Sequence, residues 1–158
     1  MSCGVALAVS LLLSDPTVAT PATETAIESL VPASVASEPL FAGLVATSGE
    51  LEAVVEAWIA AGRADQSDFW KGAEFTAFKT RASDLAARDM QGHIVLKERG
   101  QDGDLKCILR GIAEDMPTKI EAVERASSPA DRRIALDELA YLLNDNAEVI
   151  TAPPAPEV

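Results

Sequence analysis

The sequence predicts an all-α protein, an antiparallel four-helix bundle over residues 40–150, and three observations carry that expectation. Hydrophobic residues make up 48% of the chain but aromatics only 4%, a mix that suits helices packed through small and aliphatic side chains better than a sheet of β-branched and aromatic ones. Apolar residues recur at spacings of three and four in successive segments, the period of one helical face. The breaks between these segments are short, and short connections make consecutive helices antiparallel neighbours that bury their stripes together.

The first helix is expected near 48–62. Leu51, Val54, Val55, Trp58 and Ile59 follow the i, i+3, i+4, i+7, i+8 pattern. Thr47 and Glu50 have capping-box spacing at its start, Gly62 suits a left-handed C-terminal residue, and EPLFAGLVA upstream has the composition of a short extra helix. The second helix is expected near 68–99, with a seam of Phe75, Phe78, Ala82, Leu85, Asp89, Gly92 and Leu96. Gly100 and Gly103 then break the chain, and Asp102 or Asp104 stands where a cap is needed.

The third helix, near 104–127, carries Leu105, Ile108, Leu109, Ile112, Met116, Ile120 and Val123 on one face. Pro117 interrupts it, removing one backbone bond, so a kink is expected there. The fourth, near 129–150, opens with SSPAD: Ser128 as N-cap, Pro129 at the first helical position and Asp131 in the first turn. Its apolar face reads Ala135, Leu136, Leu139, Leu143, Ala147 and Ile150.

The flanks have different compositions. Residues 3–13, CGVALAVSLLL, form an apolar run of signal-peptide length, followed by small residues in TVATPA, so residues 1–22 read as a signal peptide and the mature protein as periplasmic or secreted, although no Lys or Arg precedes the run. Residues 23–39 are rich in Ser, Thr, Ala, Pro and Glu without a sustained period and read as a flexible linker, and 151–158, with Pro153 and Pro154, as a disordered tail. If cleavage removes Cys3, one cysteine remains in an oxidising compartment, and Cys107 either stays free or pairs between chains.

Asp and Glu outnumber Lys and Arg by 25 to 13, for a formal charge of −12. Such a field repels phosphate backbones and anionic lipid, and the chain has no basic cluster, no row of base-stacking aromatics and no Gly-rich phosphate loop. Nucleic acid is therefore not an expected partner, nor is a membrane beyond the N-terminal targeting segment.

Four places invite a chemical or binding reading. Cys107 falls about 200° from Leu105 around the third helix, away from the seam, and a catalytic thiol needs a base or positive field that Arg110 alone hardly supplies. Asp89 lies within the second helix's apolar seam with His93, the only histidine, one turn later. That pair reads first as an i, i+4 ion pair satisfying a half-buried aspartate, and second as the start of a ligand or metal site, for which two groups are too few. Met116 reads as core and not as a haem ligand opposite His93 or beside Met90. Phe69 and Trp70 read as a cover over the bundle end, with a partner-binding patch as the alternative.

No cofactor and no catalytic residue is expected. The sequence points to a small exported helical-bundle protein of the cell envelope that acts by contact with a protein partner or by self-association. The alternative is a bundle that holds a small ligand or metal at the Asp89/His93 level.

Overall fold

The computed structural model describes residues 35–100 and 104–153. The signal-peptide reading, most of the linker, Gly103, Asp102 and Cys3 lie outside them. Four helices follow in order: α1 (Pro39–Ala60), α2 (Ala73–Glu98), α3 (Leu105–Arg125) and α4 (Pro129–Thr151), with single 3-10 turns at Val35–Ser37, Arg63–Asp65 and Phe69–Lys71. There is no strand among the described residues. α1 packs on α4 and α2 on α3, and the α3–α4 and α1–α2 contacts close the ring, which is the expected all-α four-helix bundle.

Each helix contributes one buried stripe: Phe41, Leu44, Leu51, Val55 and Trp58 from α1, Phe75 to Leu96 from α2, Leu105 to Val123 from α3, and Ala135 to Ile150 from α4. These merge into a single core. Met116 is fully buried in it, as its position in the seam implied. None of the described helices is long and apolar enough to cross a membrane.

The boundaries carry the corrections. α1 starts at Pro39, nine residues before the expected 48, because Pro39 supplies a preset first turn and Phe41 and Leu44 extend the buried stripe upstream. Thr47 and Glu50 therefore form no capping box: both lie mid-helix, where the Thr47 hydroxyl donates back to the Gly43 carbonyl at 2.8 Å. The linker expectation also ends earlier, since Val35 is buried against the core. Glu38 and Arg99 join this end of α1 to the end of α2 by two 2.8 Å bonds, and the guanidinium holds the Glu38 carboxyl below its ordinary value.

The second helix does not run unbroken from 68. Gly72 is extended, and its amide donates to the Phe69 carbonyl at 2.9 Å, so a 3-10 turn precedes α2 and swings Trp70 into the core. α3 continues as one helix past Pro117, which sits on its exposed side, so the proline does not divide the helix. Asp104 makes no side-chain cap; its carbonyl accepts the first helical bond, from Ile108 N–H at 2.9 Å. Gly62 and Gly100 both take the left-handed conformation, φ 64° and 65°, at the ends of α1 and α2.

α4 starts as expected. The Ser128 hydroxyl accepts from the Asp131 amide at 3.1 Å and donates to the Asp131 carboxylate at 2.7 Å, which helps hold that carboxyl below its ordinary value. Ser128→Ala removes the cap and is expected to cost about 1 kcal/mol, read as a lower urea midpoint with an unchanged slope.

Candidate functional site

The bundle has three polar features: a buried layer, a clasped histidine and an outward-facing groove. The first lies in the core. Ser48 sits in the α1 stripe between Leu44 and Leu51, Asp89 in the α2 stripe between Leu85 and Gly92, and Asn146 in the α4 stripe between Leu143 and Ile150, and all three are 0% exposed. The Asn146 amide donates to the Ser48 hydroxyl at 2.9 Å and to Asp89 Oδ2 at 3.0 Å. Asp89 Oδ1 and Asn146 Oδ1 have no hydrogen-bond partner among the described residues. Burial pushes the Asp89 carboxyl up to about 7, against the smaller opposing effects of the Asn146 bond and of Arg88.

His93 does not share this layer. Its Nδ1 lies 2.6 Å from the Lys106 carbonyl of α3. A carbonyl only accepts, so Nδ1 carries the proton and Nε2 is the acceptor of the neutral ring. The expected Asp89–His93 ion pair is thus replaced by two separate bonds, one to α4 and one to α3. The physical reason is reach: a carboxylate inside the seam meets the side chain opposite, while a residue on the flank meets the neighbouring helix's backbone. No group of three or more metal-binding side chains converges among the described residues.

The groove lies between the outer faces of α3 and α4, lined by Asp115, Lys119, Asp137, Glu138, Tyr141, Leu142 and Asp145. Lys119 pairs with Glu138 at 2.8 Å across it. Asp115, Asp137 and Asp145 take part in no ion pair among the described residues. Tyr141 is 71% exposed and Ile134, two turns earlier on the same side of α4, 59%. Tyr141 lines the groove, and Asp137 and Glu138 stand between it and Ile134 along α4.

At the end of the bundle, Trp58 meets Phe69, Trp70, Phe75 and Phe78 with ring centroids 4.8–6.0 Å away. Trp70 is buried and Phe69 half-buried, so this pair covers the bundle end and is not an exposed patch. Arg132 locks the corner: its guanidinium donates to the carbonyls of Val123, Ala126 and Ala64 at 3.2, 2.7 and 3.1 Å and stands 5.6 Å from the Trp70 ring. Cys107 lies on the exposed side of α3, as the helical spacing implied, and forms no disulfide among the described residues.

Sequence reasoning placed Asp89 in a seam but missed its partners Ser48 and Asn146. The signal was present: Leu44, Ser48, Leu51, Val55 and Leu139, Leu143, Asn146, Ile150 are both spaced by three and four. Arg132, whose contacts come from three separate segments, had no comparable signal.

Fold and site together define the class of protein: a four-helix bundle with one polar layer in its core and an acidic groove on its surface. Comparison with protein-family models, curated proteins and solved structures finds no match to the chain.

Proposed function

We propose that this protein is a non-catalytic interaction module that binds a cationic, amphipathic segment of a protein partner in the α3–α4 groove. The observation that carries the reading is the exposure of Ile134 and Tyr141 beside Asp115, Asp137 and Asp145, which form no ion pair among the described residues. Such a surface offers an aromatic anchor flanked by charge, and a helix with apolar residues on one side and Lys or Arg at the margins complements both features. A second copy of the chain is the poorer occupant, because two surfaces of a protein with charge −12 repel.

The place of action belongs to the same proposal. The apolar run at residues 3–13 supports export and hence a periplasmic or secreted module. The ligand-binding alternative at Asp89 and His93 gains no support, since each is engaged by a different helix.

The test is an amide-resolved NMR titration with a synthetic amphipathic Leu/Lys helix, against a Leu/Glu helix of the same apolar spacing. Binding of the basic peptide is expected to shift residues 134–145 and Asp115, and to weaken at least tenfold in the Ile134→Ser, Tyr141→Ser double variant. Shifts centred on another face, or equal affinity in the double variant, would contradict the proposal. The acidic peptide is expected not to bind.

A further inference from the structure

The Ser48–Asp89–Asn146 layer calls for an explanation that a binding groove on the α3–α4 surface does not provide. Each helical stripe is apolar except at this level, where α1, α2 and α4 each contribute one fully buried polar side chain. An ionised carboxylate has room for about four hydrogen bonds. Asp89 receives one, from Asn146, and its Oδ1 receives none. Among the described residues the Asn146 carbonyl oxygen also has no hydrogen-bond partner, so with Asp89 ionised the layer holds two unmatched acceptors, and the one donor left at this level, the hydroxyl of Ser48, bonds to neither.

Among the described residues no cation forms an ion pair with this carboxylate. Arg88, next in sequence, points away to Thr47 on α1, with Nη1 3.3 Å from that hydroxyl, and its attraction is the weakest of the three influences on Asp89. From α1 the group that meets the layer is Ser48 and from α4 it is Asn146, neither of which titrates. No charged group of α1, α3 or α4 shifts Asp89. His93, one turn along α2, is bonded to the Lys106 carbonyl of α3.

We propose that this layer is a proton-dependent lock: Asp89 carries its proton in the closed bundle, and loss of that proton loosens the contact among α1, α2 and α4. A proton on the carboxyl removes the buried charge and turns one orphan acceptor into a donor, leaving a neutral polar layer that fixes register between the three helices. On opening, the proton passes to solvent water and the carboxylate becomes hydrated.

The direction of the pH effect follows. Asp89 titrates at about 7 in the folded chain, whereas an unfolded Asp titrates near 4. Between these values the folded state holds a proton that the unfolded state does not, so unfolding releases it. The stabilisation is full below the unfolded value and is lost as the pH rises through the folded one.

The experiment is a 13C NMR titration of the Asp89 carboxyl in the full chain from pH 4 to 9, with urea unfolding of wild type and Asp89→Asn at pH 5 and pH 8. The Asp89 resonance is expected to titrate near 7. The unfolding constant of the wild type is expected to rise between pH 5 and 8 by at least tenfold more than that of Asp89→Asn, whose amide keeps the shape and cannot ionise. A carboxyl midpoint near 4, or the same pH dependence in both proteins, would overturn the lock. If Asp89→Asn fails to fold, Asp89→Leu serves as the non-ionising reference, and the carboxyl titration needs no variant. Neither readout involves the groove, so loss of peptide binding there leaves this result standing on its own.

Discussion

Trp58→Ala is expected to lose about 3–5 kcal/mol of stability, a large share of the roughly 5–15 kcal/mol that holds a domain of this size folded. Trp58 is the hub of the bundle end: four aromatic side chains surround it, and its indole N–H donates to Glu74 at 2.9 Å. Removing the ring leaves a cavity bounded by Phe69, Trp70, Phe75 and Phe78, which sit on a short 3-10 turn and the first turns of α2. Urea denaturation measures the loss. Trp58→Phe, which keeps an aromatic at the hub but not the hydrogen bond, is expected to lose markedly less; equal losses in the two variants would mean that the indole bond and not the packing dominates.

Gly92→Leu is expected to cost about 3 kcal/mol or more by overpacking. Gly92 is buried at the contact of α2 with α1 and α3, and a Cβ there would stand 3.1 Å from Leu109 Cδ1 and 3.3 Å from Phe41 Cε1. An isobutyl group has to push α2 away from one of those helices. Gly92→Ala sets two effects against each other, a Cβ that requires Leu109 to give by a few tenths of an ångström and a gain of about 1 kcal/mol in helix propensity, so the two substitutions are expected to differ sharply. A Gly92→Leu variant as stable as wild type would show that the α1–α2–α3 contact is looser than this spacing implies.

Most of the bundle was legible because a helical stripe repeats and so states itself many times over. Leu105, Leu109, Ile112 and Met116 each mark the same face, and the error of any one is corrected by the others. The SSPAD start was legible for a different reason: three residues with three distinct first-turn roles coincide, and the Ser128–Asp131 bonds follow. Thr47 and Glu50 satisfied the spacing of a capping box equally well, yet lie mid-helix, because a two-residue pattern cannot tell a start from an interior when an apolar stripe extends upstream through Leu44 and Phe41.

The site was less legible than the fold. Periodicity says which face a residue occupies but not what stands across from it, so Asp89 could be placed in the core while its partner was sought one turn away in His93. The partner is 57 residues further on, in α4. Ser48 and Asn146 were passed over because a single polar residue within a stripe reads as a lapse in the pattern; three such lapses at one level of three helices are a layer. Arg132 draws its contacts from the ends of α3 and the α1–α2 connection, a convergence that exists only once the chain has folded.

The role proposed for the α3–α4 groove is docking of a cationic partner. Site-specific photocrosslinking in the native host tests it most directly, with a photoreactive side chain at Tyr141 in one protein and at Thr80, exposed on α2, in another. One discrete adduct is expected from position 141, to a protein whose crosslinked peptide is basic and amphipathic, and none of that mass from position 80. Adducts of the same mass from both positions, or none from position 141, would contradict it.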